Sequence, residues 1–133
     1  MDPKKFKNPS PRIKVIQKLY NSLMNPEAKI DYPKSRFKKF IKDVVTGTLE
    51  RSDLIEETIN LHLSNDINLK KTDKLLKILL FAAVFELMFK HSTPKKVIIN
   101  EYLIASEHFL EKIQVGYLNA ILDKIAKELR KEV

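Results

Sequence analysis

One stretch of the sequence, residues 75–89, limits the folds open to this chain more than any other. It reads LLKILLFAAVFELMF, and thirteen of its fifteen residues are apolar. A helix that is apolar on every side has to be buried on every side, so the stretch predicts a central core helix. At about 1.5 Å per residue the stretch is shorter than the hydrocarbon core of a bilayer. A buried helix is therefore favoured over a membrane span.

The rest of the chain predicts further helices around this central one. The 133 residues include only two glycines and no cysteine, which disfavours tight hairpins and excludes disulfide bonds. Gly47 and the Arg51-Ser52-Asp53 step predict a kink or break. We predict one all-α domain of six to seven helices over residues 11–133, preceded by a flexible basic arm at residues 1–10. Helix starts are predicted at Ser10, Ser35, Asp53, Thr72 or Asp73, and Thr93, with the last helix beginning near Ile113.

The composition favours a binding protein over an enzyme. A net charge of +8 indicates a polyanionic partner, although lysines are also common on ordinary solvated surfaces. The chain has no Gly-rich phosphate loop, no nucleophile motif and no histidines at metal-ligand spacing. We therefore predict no catalytic residues, no metal and no cofactor. The absence of a signal-peptide pattern and of cysteine predicts a cytoplasmic location, without membrane contact.

Two charged residues fall on apolar helix faces. Glu86 is the one acid expected deep in the core, where a carboxylate needs a partner. We expect the N-terminal amides of the helix after Pro94 to hold it, as a structural clamp rather than a catalytic acid. Arg12 projects from the apolar side of the first helix. It either contacts a ligand or lays its stem over the edge of the core with a solvated head.

Basic and aromatic residues mark the two ends of the chain as a candidate RNA surface. Tyr117 lies at the margin of the apolar stripe of the last helix, and Lys124 follows seven residues later. An exposed ring beside lysines is typical of a single-stranded RNA platform, although an edge-of-core tyrosine fits the spacing equally well. We expect the central helix to bring both ends to one surface. The basic candidates near the N-terminus are Lys4, Lys5, Lys7, Arg12, Lys14 and Lys18.

Four short motifs lie in order between residues 12 and 130. The first is Arg12-Ile-Lys-Val-Ile-Gln-Lys-Leu-Tyr20 and the second is Phe85-Glu86-Leu87. The third runs from Pro94 through Val97 to Ile99-Asn100-Glu101, and the fourth is Leu118-Asn-Ala-Ile-Leu-Asp-Lys-Ile125. Together they resemble the motifs of the NusB family of bacterial transcription antitermination factors. Phe81 departs from the family pattern, which has an arginine at that position.

This resemblance implies a fold, a ligand and a partner. The fold is two packed three-helix subdomains, and the ligand is the boxA segment of ribosomal RNA leaders. RNA is bound together with NusE, a small-subunit ribosomal protein, and the complex supports read-through by RNA polymerase. Positions matching the family's RNA contacts are Lys4, Lys5, Lys7, Arg12, Tyr20 and Tyr117; His62 and Asp73 are candidates for NusE. The alternatives are an RNA-binding module related to RNA cytosine methyltransferases and a helical scaffold, and self-association as a homodimer stays open.

Overall fold

The structure, a computed structural model, describes residues 10–131 and is all-α within them. This confirms the predicted fold class. None of the described helices is long and apolar enough to cross a membrane. The basic arm, apart from Ser10, lies outside the described residues. The helices are α1 (Pro11–Met24), α2 (Lys38–Glu50), α3 (Ser52–Leu63), α4 (Lys74–Phe89), α5 (Lys95–Ser106) and α6 (Lys112–Leu129), with one 3₁₀ turn at Leu69–Lys71.

Helix α4 is the central helix that the apolar stretch predicts. It packs against each of the other five helices, and the six consecutive residues from Ala82 to Leu87 are buried around its whole circumference. Each fully buried aliphatic side chain contributes about 1.5–3 kcal/mol of transfer free energy, which makes α4 the main source of core stability. Asp73 caps its start, because Oδ2 accepts hydrogen bonds from the N–H groups of Leu75 and Leu76 at 3.1 and 3.2 Å.

Gly47 serves close packing and does not break a helix. It lies buried inside α2, and the chain instead turns at Arg51, between α2 and α3. A Cβ atom built on Gly47 would lie 2.2 Å from Cζ of Phe85 on α4. The predicted break therefore lies at the Arg51-Ser52-Asp53 step, whereas the prediction of a kink at Gly47 is wrong. The missing side chain is what lets α2 approach the central helix.

Two predicted helix caps are wrong, while the first is confirmed. The Ser10 Oγ accepts a hydrogen bond from the Arg12 N–H at 3.2 Å, as its place before α1 predicts. Ser35 lies in a turn that precedes α2, and α2 begins only at Lys38. Pro94, rather than Thr93, is the N-cap of α5 and offers no side-chain hydrogen bond. Short polar residues before a helix suit turns and caps alike, so sequence alone did not separate the two.

The last turn of α1 leaves the core. An inward-facing turn is predicted from the apolar stripe of this helix, which consists of Ile13, Ile16, Leu19, Tyr20, Leu23 and Met24. Leu23 is 52% exposed and Met24 is 54% exposed. Leu23 instead forms one wall of a groove of about 490 Å³ between α1, α2 and the first half of α4. Apolar side chains make up its walls and lysines part of its rim. The lining includes Leu19, Leu23, Leu49, Leu69, Ile78 and Phe81, with Lys70, Lys74 and Lys77.

The contact between Gly47 and Phe85 predicts a strong effect of one added methyl group. Gly47→Ala should lower the free energy of unfolding by about 1–3 kcal/mol, because α2 or the Phe85 ring has to shift. Gly116→Ala is the matched control: nothing lies within 4 Å of its added Cβ, and it also sits within a helix. The control should stabilise by about 0.5–1 kcal/mol through helix propensity. Urea unfolding of both variants measures the difference, and equal effects would contradict it.

Candidate nucleic-acid interface

The buried acid Glu86 is paired with Arg12. Nε of Arg12 donates to Oε2 of Glu86 at 2.9 Å, and Nη2 donates to Oε1 at 2.7 Å. The Glu86 side chain is 0% exposed and that of Arg12 is 10% exposed. Two parallel charge-assisted hydrogen bonds form the strongest common geometry for such a pair. The prediction that the amides after Pro94 hold Glu86 is therefore wrong.

Aromatic rings enclose the Arg12 guanidinium. It lies over the ring of Phe40 at 4.8 Å and over that of Tyr102 at 5.6 Å, measured to the ring centroids. Burial lowers the pKa of Arg12, but the hydrogen bonds and charge of Glu86 outweigh that effect and raise it. Burial, and next the charge of Glu86, raise the pKa of Tyr102 well above its ordinary value. Arg12 is therefore charged and internal, without the solvated head that we had considered.

Arg12 consequently drops out of the candidate RNA surface. Its Nε and Nη2 are occupied by Glu86, and Nη1 lies 3.9 Å from the Glu101 carboxylate. Arg12 and Glu86 are 74 residues apart in sequence. The only signal for the pair was that each charged residue stood on an apolar helix face.

Arg130 is a second arginine that binds the fold itself. It is half-buried, and in the sequence it stands only in a charged tail at residues 127–133. Its guanidinium donates to the backbone carbonyls of Leu87 at 2.7 Å and of Lys90 and Thr93 at 3.0 Å each. The carbonyls at the C-terminal end of a helix lack partners within it, and a cation there interacts favourably with the negative end of the helix dipole. Arg130 thus joins the end of α6 to the end of α4. Its place directly after the last helix was the only available clue.

The outward face of α1 carries the described part of the basic surface. Lys14 is exposed, and Lys18 is half-buried with Nζ 6.0 Å from the ring centroid of Tyr32. Tyr20 is half-buried and packs against the core. The other lysine candidates, Lys4, Lys5 and Lys7, lie outside the described residues.

Tyr117 and Lys124 meet at one loop residue, Asp66. The Tyr117 hydroxyl donates to the Asp66 carbonyl at 2.8 Å, which fixes the ring while its side chain stays 41% exposed. Lys124 Nζ donates to Asp66 Oδ2 at 2.7 Å. Tyr117 is therefore partly exposed at the surface, as a stacking platform requires. The charge of Lys124 is partly neutralised by its carboxylate partner.

The two parts of the candidate surface do not converge as expected. Arg12, at the start of α1, contacts Glu86 near the end of α4, whereas Tyr117 contacts Asp66 in the loop before α4 begins. Helix α4 has sixteen residues, so it is about 24 Å long. Helices α1 and α6 share no extensive interface. The expectation of one surface shared by the start of α1 and Tyr117 is not supported.

The two candidates for a protein partner lie on different elements. His62 is half-buried on α3, and Asp73 is exposed at the N-cap of α4. Asp73 uses only Oδ2 for its two capping hydrogen bonds. Within residues 10–131, no three acidic or histidine side chains are grouped so that they could hold a metal ion.

Comparisons with known proteins agree on one family. Residues 6–127 match the family model described as the NusB family. The transcription antitermination protein NusB of Rickettsia conorii is 34% identical over 122 residues, which cover 86% of this chain and 76% of that protein. Its counterpart in Rickettsia akari is 39% identical over 103 residues, or 77% of this chain and 64% of that protein. The chain thus spans less than two thirds of the Rickettsia akari protein.

The fold agrees with a solved structure of the same name. The structure of T. maritima NusB superposes on this chain with a TM-score of 0.76, covering 92% of this chain and 93% of that one. The sequences are 22% identical, so this likeness concerns the fold.

The enclosure of Arg12 and Glu86 predicts a large asymmetry between single and double replacements. Arg12→Ala should lower the free energy of unfolding by about 3–5 kcal/mol, because it leaves a buried carboxylate unpaired. Arg12→Met with Glu86→Leu should recover most of that loss, since both charges are removed together. Urea unfolding by circular dichroism measures each. A loss below about 1 kcal/mol for Arg12→Ala would place the guanidinium in solvent instead.

Proposed function

This chain belongs to the NusB family, and from that membership we propose that it is an RNA-binding transcription antitermination factor. It binds boxA-type single-stranded RNA of ribosomal RNA leaders together with NusE, in the cytoplasm. The pair promotes read-through by RNA polymerase, and the chain acts by recruitment without catalysis. The observation that carries the proposal is the family match, which extends over residues 6–127.

Lysines supply most of the affinity for RNA in this proposal. Lys14 and Lys18 on α1 act together with the arm residues Lys4, Lys5 and Lys7. Each lysine that neutralises a phosphate releases a counterion, so affinity falls by about 0.7 log units per contact for each tenfold rise in salt. Lys124 contributes less, because its ammonium group already pairs with Asp66. Lysine lacks the planar fork of arginine, so these contacts position the strand rather than read it.

Tyr117 supplies a stacking platform for an unpaired base. Its hydroxyl is held by the Asp66 carbonyl, so the ring loses little freedom when a base stacks on it. Stacking on an exposed ring is worth about 1–3 kcal/mol per base. Tyr20 packs against the core along one side, and we assign it a lesser contact at the margin of α1.

NusE docks at the end of the molecule where α4 begins. Asp73 caps α4 there, and the apolar groove of about 490 Å³ opens beside it with Leu23 as one wall. Apolar side chains of a partner would cover this groove, while Oδ1 of Asp73 is available to a donor from that partner. We keep His62 as the second candidate contact. A partner that adds its own RNA surface raises the affinity of the pair through effective concentration.

A titration with RNA tests the proposed function. Fluorescence anisotropy should show tighter binding to a boxA-type single strand than to a scrambled strand of the same composition. Adding NusE should tighten the boxA complex further, because the second RNA surface then acts within one complex. Equal weak binding to both strands, unchanged by NusE, would contradict the proposal and favour the alternative of a helical scaffold whose charge is incidental.

Two replacements at one position separate stacking from the hydrogen bond of the tyrosine. Tyr117→Ala should weaken RNA binding about tenfold or more, since it removes the ring. Tyr117→Phe keeps the ring and loses only the hydroxyl contact with Asp66, so most of the affinity should remain. Thermal unfolding of both variants checks that the fold persists. Unchanged affinity in Tyr117→Ala would reject the ring as a platform.

A further inference from the structure

A small recess with a basic rim lies between α1 and the segment that joins α1 to α2. Its volume is about 140 Å³, too small for a drug-sized ligand but sufficient for one small charged group. Tyr32, Pro33 and Ile41 provide the less polar part of its wall. Its polar lining consists of Lys14, Lys18, Ser35 and Lys38.

The three lysines meet here without an acidic partner. Lys14 and Lys18 come from α1, and Lys38 is the first residue of α2, so the fold brings to one recess residues that are twenty or more positions apart in sequence. Within the part of the chain that the structure describes, none of them has a carboxylate oxygen within 4.0 Å. Three positive charges around one recess without a carboxylate raise its local positive potential, which favours an anion there.

The hydroxyl of Tyr32 is an independent sign of a missing ligand. Its oxygen is shielded from solvent, yet it has no hydrogen-bond partner among the described residues. A buried hydroxyl without a partner costs about 1–3 kcal/mol. Burial raises the pKa of Tyr32, so the hydroxyl keeps its proton at neutral pH and can donate it to an anionic oxygen.

We propose that this recess binds a phosphate group of the single-stranded RNA backbone, an inference that rests on the proposed function. The lysines from α1 and α2 neutralise the phosphate, and the exposed Ser35 hydroxyl donates to one of its oxygens. The Tyr32 hydroxyl, which is shielded from solvent in the free protein, donates to another once its side chain rotates towards the ligand. An adjoining recess of about 200 Å³ shares Lys18 and presents Asn21, Ser22 and Asn25. Amide side chains can pair with the edges of unstacked bases. The strand therefore continues along the outward face of α1 towards its C-terminal end.

Removing one lysine at a time tests the phosphate contact. Lys38→Gln should weaken binding of a boxA-type RNA severalfold and reduce the slope of log affinity against log salt by about 0.7. Lys96→Gln makes the same charge change on the exposed face of α5, away from the recess, and should leave the slope unchanged. Equal slopes for the two variants would overturn the proposal.

A second replacement removes only the hydroxyl. Tyr32→Phe should weaken RNA binding about threefold to tenfold, because a donor to a charged group is lost. Its melting temperature should stay the same or rise, since the hydroxyl has no partner in the free protein. A lower melting temperature with unchanged RNA affinity would show that the hydroxyl serves the fold, and would overturn its assignment to the ligand.

Nuclear magnetic resonance titrations separate the sources of phosphate. The amide signals of Ser35 and Lys38 should move with boxA-type RNA and with inorganic pyrophosphate, but not with a pentaglutamate peptide. Movement with the peptide at equal affinity would point to an acidic protein segment and overturn the proposal. RNA binding without movement of these signals would overturn the phosphate site in the recess but leave the proposed function in place. Movement with pyrophosphate in a protein that binds no RNA would keep the phosphate site and reject the proposed function.

Discussion

The ion pair between Arg12 and Glu86 joins the first helix to the core of this protein. Desolvating two charges costs several kcal/mol each, and the bidentate geometry with flanking aromatic rings offsets that cost. The pair fixes the start of α1 beside the end of α4. Arg130 then fixes the end of α6 at the same place, through the carbonyls of α4. Both terminal helices are therefore registered against one end of the central helix.

This use of arginine decides which residues remain for a ligand. The chain has only four arginines. Two of them bind groups of the fold itself: Arg12 binds the Glu86 carboxylate, and Arg130 binds backbone carbonyls. Arg51 lies over the ring of Phe89 at 4.8 Å. The fourth, Arg36, is exposed, with its guanidinium over the ring of Phe37 at 5.3 Å. In the proposed function most phosphate contacts therefore fall to lysines, which act as point charges and supply affinity with little base discrimination. Selectivity in such a protein has to come from stacking, from amide side chains and from the partner.

The fold was largely predictable, whereas the site was only partly so. The apolar stretch around Leu79 identified α4, because burial on all sides follows from composition alone. Caps at Ser10 and Asp73 were also predictable, since local hydrogen bonds depend on neighbouring residues. The role of Gly47 was not, because its close approach to Phe85 depends on how two helices cross. The exposure of Leu23 was not predictable for the same reason, because periodicity does not show where an apolar stripe extends beyond the helices that cover it.

By itself, the sequence determined the all-α class, the central helix, the excess of positive charge and the motifs that resemble the NusB family. These features depend on composition and on residues close together in sequence, so they do not change with the way in which the helices pack. Only the tertiary structure decided that Arg12 faces Glu86 rather than RNA, and that Tyr117 lies against Asp66. It also decided that Lys38 joins the lysines of α1 around one recess. Such pairings join residues distant in sequence, and long-range packing alone selects them.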